Sequence, residues 1–258
     1  VTVWAALSVL CAGMAAGTVN TVVGSGTLIT FPTLLALGYP PVTANVSNNI
    51  GIVFGGITGT WGYRRELVGT GPQLVRLAPA SFVGAVVGAV LLLRLPARAF
   101  AVIVPVLIAV ALVLVVLQPR IAVATVGRRG RTGARHRGAG PLARVGTLFA
   151  GVYGGYFGAA QGVLLVGLLG AVLDESLQRV NAIKNFLSSV VNFVAAATFL
   201  VVSPALVDWR VVGLLAVGSI VGGFLGAGVG RRLPPPVLRG VIVVVGVVAI
   251  VRLLAAAL

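Results

Sequence analysis

The chain has 258 residues, 59% of them hydrophobic and only 9% charged, with a net charge of +15 and a mean hydropathy of +1.12. Soluble domains carry about 25% charged residues, so this chain cannot cover itself with polar surface, and its main solvent is lipid. The basic residues sit in loops between apolar stretches without an aromatic–basic pattern, so nucleic acid is not an expected partner, and the single Cys11 excludes a disulfide framework and a cysteine metal site.

In chain order, the first half reads as an apolar segment at 3–20, a short one at 26–37, and spans at 43–62, 77–93 and 97–117. The opening stretch Val1 to Ala16 lacks a basic leader and runs into a glycine-rich break, so it reads as a span rather than a cleavable signal. A linker rich in Arg and Gly follows at 118–144. The second half repeats the order at 145–159, 162–173, 182–203, 211–230 and 238–258. This divides the chain into a first membrane repeat (1–117), a basic cytoplasmic linker (118–144) and a second membrane repeat (145–258).

The duplication is visible residue by residue. SFVGAVVGAVLLLRLP at Ser81 to Pro96 aligns with SIVGGFLGAGVGRRLP at Ser219 to Pro234, and Ala44 meets Ala182 at the same offset of 138. Gly17 and Gly24 meet Gly151 and Gly158 at an offset of 134, so residues are inserted around the second break.

Orientation follows from the cations. With the loop at Arg64 to Arg76 inside, fifteen Arg and Lys fall inside. Four, Arg94, Arg98, Arg210 and Arg252, fall outside. This positive-inside bias puts both termini outside. Trp4, Tyr39, Trp61, Tyr63 and Trp209 are expected at the membrane interfaces. Each half contributes three full spans plus one broken pair, so the halves enter from opposite sides. The expected fold is all-α: a polytopic integral membrane protein of two inverted repeats, each with a broken or re-entrant helix pair. The short segments at 26–37 and 162–173, about half a crossing long, favour re-entry. Small residues every four positions, Gly51, Gly55 and Gly59, then Ala80, Gly84 and Gly88, then Gly218, Gly222, Gly226 and Gly230, read as helix-packing seams.

Two features could carry function. The first is the pair of breaks, with Asn20, Gly24, Ser25, Gly26 and Thr27 in one and Gly154, Gly155, Gly158, Gln161 and Gly162 in the other. Open backbone in hydrocarbon survives only if buried in protein or facing a wet cavity. Ser25, Thr27 and Gln161 could simply cap the half-helices. The functional alternative is that two half-helix N-termini, with their positive dipole ends, converge on one anion. The second feature is a polar stripe, Asn181, Lys184, Asn185, Ser188, Ser189 and Asn192, on one face of a helix, echoed by Asn45, Asn48 and Asn49. Polar groups at membrane depth face the bundle interior, as interhelical glue or as the lining of a path. Lys184, the only lysine, is either a snorkelling residue or a charge that gathers anions.

The acids Glu66, Asp174, Glu175 and Asp208 all lie at span ends, and His136 lies in the linker. No intramembrane acid is there to shuttle protons or hold a cation, and no nucleophile–base pair or metal cluster points to an enzyme or a cofactor.

The stretch AAGTVNTVVGSGTLITFPTLLALGYPPVTANVSNN, the glycine-spaced span ending in RLP, and the recurrence of both resemble the TauE/SafE sulfite exporter family of bacterial membrane permeases. The motif falls on Asn20, Gly24, Ser25, Gly26 and Pro32, and on Ala44, Asn45 and Ser47. The second half departs from it: Ala159, Ala160 and Gln161 stand where the first has Ser25 and Gly26, and Lys184 stands opposite Val46. The resemblance implies an inner-membrane transporter of small sulfur-containing anions. The expected function is therefore export of a small anion such as sulfite or an organosulfonate. The expected substrate-binding residues are Asn20, Gly24, Ser25, Gly26, Thr27, Asn45, Asn48, Gln161, Gly162, Lys184, Asn185, Ser188 and Asn192. The rival readings are a permease for another small metabolite or ion, and a membrane assembly factor without transport. The expected partners are the anion and the lipid bilayer; a homo-oligomer is left open.

Overall fold

The computed structural model describes residues 2–129 and 140–228, together with Gly240, Val243, Val244, Val247 and Val251. The described residues form helices and short connectors without a strand. The helices are α1 (Val3–Val22), α2 (Thr27–Ala36), α3 (Pro41–Gly62), α4 (Gly71–Arg94), α5 (Ala97–Arg129), α6 (Pro141–Tyr156), α7 (Gln161–Val172), α8 (Leu177–Val202) and α9 (Trp209–Gly228). By length and apolarity α1, α4, α8 and α9 can each cross a membrane, while α2 and α7 are shorter apolar helices. Helix α5 continues past residue 117 to Arg129, into the stretch expected to be a linker. Apart from those five residues, the expected span at 238–258 lies outside the described residues, as do Gly230, His136 and the arginines Arg131, Arg135, Arg137, Arg231, Arg232, Arg239 and Arg252.

Both breaks are real and are built alike. After α1, the amides of Val23 and Gly24 both donate to the Val19 carbonyl, at 2.7 and 3.1 Å. After α6, those of Phe157 and Gly158 both donate to the Tyr153 carbonyl, at 2.9 and 3.1 Å. Gly24 (φ +88°) and Gly158 (φ +76°) are left-handed, the backbone conformation that ends a helix at least cost when the residue is glycine. The repeat offset is stepped: 134 residues from Thr27 to Gln161, 136 from Pro41 to Leu177, and 138 from Gly71 to Trp209. Asn45, Asn48 and Asn49 are therefore the counterparts of Asn181, Lys184 and Asn185, and Lys184 stands opposite Asn48 rather than Val46.

The chain directions show the inversion. Along α1 and α9, Gly13 lies against Leu215 and Gly17 against Ser219, so the two run parallel. Likewise Gly51 meets Leu215 and Gly55 meets Ser219, so α3 runs with α9. Gly84 meets Leu148 and Gly88 meets Val152, which makes α4 and α6 parallel. Helix α8 runs against α3: Thr60 bonds Ser189 near one end, while Ser47 accepts the Asp208 amide near the other. Since α3 and α8 are equivalent in the two repeats, the repeats are inverted. Because α1 and α3 are parallel, α2 must turn back between them, and the first broken pair enters and leaves at one end. Helix α1 is not a half-span: Thr21 lies beside Gly59, close to the end of α3. What lies nearer the middle is the start of α2, where Asn48 reaches Thr27.

Each repeat's first helix packs on the other repeat's fourth, and glycine makes that possible. A Cβ added at Gly222 would lie 2.0 Å from the Met14 carbonyl oxygen, and one at Gly88 2.1 Å from that of Val152. Bare backbones in contact give helices a reason to associate where lipid supplies no hydrophobic drive. Ser219 adds a bridge, donating to the Gly51 carbonyl at 3.0 Å while accepting the Gly55 amide at 3.2 Å. At the ends, Trp4, Trp61 and Trp209 are exposed as interface residues should be, but Tyr63 is only 2% exposed and belongs to the core.

These seams predict a graded response. Gly222→Val should lower stability by about 1–3 kcal/mol through overpacking, read as a fall in melting temperature in detergent. Gly213→Val, on the same helix with nothing within 4 Å of an added Cβ, should change it by less than about 0.5 kcal/mol. Equal effects at the two positions would contradict the seam.

Candidate functional site

The two breaks meet. The Gly162 amide, in the first turn of α7, donates to the Gly24 carbonyl at 3.0 Å. A Cβ on either glycine would lie 2.4 Å from the other's Cα. Only paired glycines let the discontinuities touch, and the touch gathers Ser25, Thr27 and Gln161 into one locality. Helix α2 runs from there towards the start of α3, with Leu28 and Phe31 packed among Ala44, Val46 and Ile50. Helix α7 runs the opposite way, towards the start of α8, with Leu165 and Leu169 among Val180 and Ile183. The positive dipole ends of the two short helices thus face each other.

The capping alternative is not realised: neither α2 nor α7 has a side-chain hydrogen bond at its N-cap. Backbone carbonyls do that work instead. Leu28 and Ile29 donate to Ser25 and Gly26, while Gln161 and Val163 donate to Gly158 and Ala160. Ala160 at the α7 N-cap is itself left-handed (φ 59°). The amide ends are therefore largely occupied, and what is left over is side-chain chemistry.

Polar residues of α3 and α8 close the C-terminal ends of the broken helices. Lys184 Nζ donates to the carbonyls of Asn20 at 3.0 Å and Thr21 at 3.3 Å, and Asn185 and Asn181 also reach the Thr21 carbonyl, at 3.2 and 3.4 Å. In the other half Asn45 donates to the Tyr156 carbonyl at 3.0 Å. Lys184 does not snorkel. Its side chain is fully buried, and its stem lies against Gly162, where an added Cβ would be 2.9 Å from Lys184 Cδ. It pairs with no carboxylate among the described residues. Part of the stripe is glue: Ser189 bonds both Thr60 and the Asn185 carbonyl.

Other polar atoms have no partner. Ser25 Oγ, Asn48 Oδ1, Gln161 Nε2 and Ser188 Oγ are buried without a hydrogen bond, and their residues are 0%, 1%, 3% and 8% exposed. An unpaired buried group costs about 1–3 kcal/mol, and these four lie in the two breaks and on the faces of α3 and α8. Gln161 is held against Gly154, which has no side chain to displace it. Gly26 is pressed to the Ala16 carbonyl and Asn20 is half-buried above it. Asn192 is buried two turns beyond Asn185 on α8. Asn49 Oδ1 and Tyr156 OH, not among the expected site residues, are also buried and unpaired.

Sequence reasoning also missed the aromatic wall beside the site. Phe31 of α2 meets Phe157 of the second break (ring centroids 5.1 Å) and Phe100 of α5 (6.3 Å), and Phe100 meets Tyr156 (5.8 Å). These rings come from three separated segments, so no local pattern announces them.

The capping geometry predicts unequal losses. Asn45→Ala removes the side-chain donor that the Tyr156 carbonyl has among the described residues and should cost about 1–3 kcal/mol. Asn185→Ala leaves Lys184 and Asn181 on the Thr21 carbonyl and should cost less than about 1 kcal/mol. Thermal melts of the two variants check the order, and a larger loss for Asn185→Ala would contradict it.

Comparison with known proteins agrees with this architecture. The sulfite exporter TauE/SafE family matches residues 9–253. The probable membrane transporter protein YfcA of Escherichia coli K12 is 28% identical over 247 residues, covering 93% of this chain and 86% of the relative. The probable membrane transporter protein ORF9 of a Sinorhizobium species is 28% identical over 251 residues, covering 95% and 90%. A probable membrane transporter protein of Haemophilus influenzae is 27% identical over 224 residues, covering 84% and 82%. No solved structure is significantly similar. A glycine-broken helix pair occurring twice in inverted order, in a bundle of apolar helices, is thus the framework of a membrane transporter, and the chain belongs to the sulfite exporter TauE/SafE family.

Proposed function

We propose that this transporter exports a small anion, sulfite or an organosulfonate, bound where the two broken helices touch. The observation that carries the reading is the cluster of unpaired buried side-chain atoms, Ser25 Oγ, Asn48 Oδ1, Gln161 Nε2 and Ser188 Oγ, beside the buried Lys184. Hydroxyl and amide N–H groups donate to an oxyanion, and the Asn48 amide turns its oxygen or its nitrogen to suit. Two facing helix N-termini and one ammonium supply positive potential. An anion would complete a site that lacks only negative charge.

The Arg-rich end belongs in the cytoplasm of a bacterial cell under the positive-inside rule. It holds Arg64, Arg65, Arg76, Arg144 and Arg179, against Arg94 and Arg210 at the other end. The N-terminus then lies outside. In a cell negative inside, export of an anion is driven by about 2.3 kcal/mol per charge per 100 mV, so the site needs no intramembrane acid for coupling.

The test is efflux of labelled sulfite from proteoliposomes under an imposed potential. An inside-negative potential should speed efflux. Gln161→Leu and Ser25→Ala should slow it about tenfold each, the equivalent of one lost hydrogen bond to a charged group, while leaving the protein monodisperse. Efflux indifferent to both the potential and the substitutions would contradict the proposal.

A further inference from the structure

Inverted repeats place equivalent joints at opposite ends of the molecule, and here the two joints differ. At the Arg-rich end, the connector between α7 and α8 is fastened to the connector between α3 and α4. Arg179 Nη1 pairs with Glu175 Oε2 at 2.8 Å, and Nη2 donates to the Val68 carbonyl at 2.5 Å. Gln73 Nε2 donates to Glu175 Oε1 at 3.0 Å. Gly69, left-handed at φ +83°, leaves room for the guanidinium: an added Cβ would lie 2.9 Å from Arg179 Nη2. Behind this fastening Thr70 is fully buried.

The stepped offset gives the counterparts at the other end. Glu175 and Arg179 map to Tyr39 and Thr43, and Gly69 and Thr70 map to Val207 and Asp208. These four residues line a cleft of about 590 Å³. Thr43 is too short to bridge it, and Val207 carries a side chain where Gly69 has none. Asp208 is spent on the start of α9, accepting the amides of Arg210 and Val211 at 2.9 and 3.1 Å. The Tyr39 phenol faces Asp208 and Arg210 without bonding either; partial burial and the Asp208 carboxylate raise its pKa, and Arg210 opposes them. One joint is fastened by charged and amide side chains; its twin keeps the Asp208 amide on Ser47 Oγ at 2.9 Å and has a cleft where the guanidinium would lie.

We infer that Arg179, Glu175 and Gln73 form the latch that holds the Arg-rich end shut, and that the cleft at Tyr39, Thr43 and Asp208 is the same joint in its released form. Two inverted repeats can exchange conformations, which opens one joint as the other closes. In the second state the latch is broken and Thr43 approaches Val207. Arg179 touches no part of the central site; it sets the balance between the two states.

The test is thiol accessibility in a Cys11→Ser background, with Thr43→Cys reporting the cleft and Thr70→Cys the latched end. Adding Arg179→Gln should raise Thr70→Cys labelling by a soluble maleimide and lower Thr43→Cys labelling, each by about two- to fivefold, the range set by losing the one hydrogen bond that Arg179 makes across the joint, to the Val68 carbonyl. Glu175→Gln should move both reporters the same way by a smaller factor. Labelling unchanged at both positions, or raised at both, would overturn the inference, since local loosening raises one end without closing the other. The inference rests on the permease reading for its meaning in transport. The labelling needs no substrate, so it can fail while anion efflux stands, or hold while sulfite proves the wrong cargo.

Discussion

The structure depends on one close approach. Gly24 and Gly162 bring two interrupted helices into backbone contact, joined by a hydrogen bond from the Gly162 amide to the Gly24 carbonyl. A methyl group on either would force the breaks apart. Everything at the centre follows from that contact. The short helices α2 and α7 leave it in opposite directions, Ser25 and Gln161 flank it, and the stem of Lys184 lies on it. Membrane interiors tolerate broken backbone only where protein or water satisfies it. Here each broken end is satisfied by the opposite half: α1 by Asn181, Lys184 and Asn185 of α8, and α6 by Asn45 of α3.

Under the proposed reading the same polar stripe serves structure and binding together. Asn181, Lys184 and Asn185 fasten carbonyls and Ser189 bonds Thr60, while Ser188, with Asn48 of α3 and the residues of the breaks, holds unpaired atoms. Lys184 shows why the two roles cannot be separated by residue type. It closes the carbonyl end of α1 through Nζ and has no carboxylate partner among the described residues. Its counterpart Asn48 can fasten or bind but carries no charge, so the site is lopsided within a symmetric frame. The latch and the cleft repeat that lesson at the periphery: one architecture, two copies, different side chains.

Much of this was legible in the sequence. The duplication, the two breaks and the glycine seams follow from spacing alone, because helix periodicity and small-residue contacts are local rules. The buried fate of the asparagines followed from the cost of polar groups in lipid. Other features were not legible. Capping of the half-helices by Ser25, Thr27 or Gln161 was one of two readings open in the sequence, and the breaks turn tightly enough for backbone carbonyls to serve instead. For Lys184 the sequence leaves a snorkelling residue and an anion-gathering charge both open, and it does not reveal that the C-terminus of α1 reaches it from the other half. Tyr63 read as an interface residue because it lies near a span end. The aromatic wall of Phe31, Phe100, Tyr156 and Phe157 joins three distant segments, and only tertiary packing reveals it. The offset of the repeat was legible only in part, since its steps fall in connectors with no shared residues.

The central claim is that the unpaired atoms around the touching breaks hold a small oxyanion. Crystals grown with selenite, the heavier analogue of sulfite, give an anomalous signal that locates the anion directly. The account predicts a peak within hydrogen-bonding distance of Ser25 Oγ and Gln161 Nε2, on the side of Lys184. Selenite bound only at the Arg-rich surface, with that centre unoccupied at saturating concentration, would contradict it.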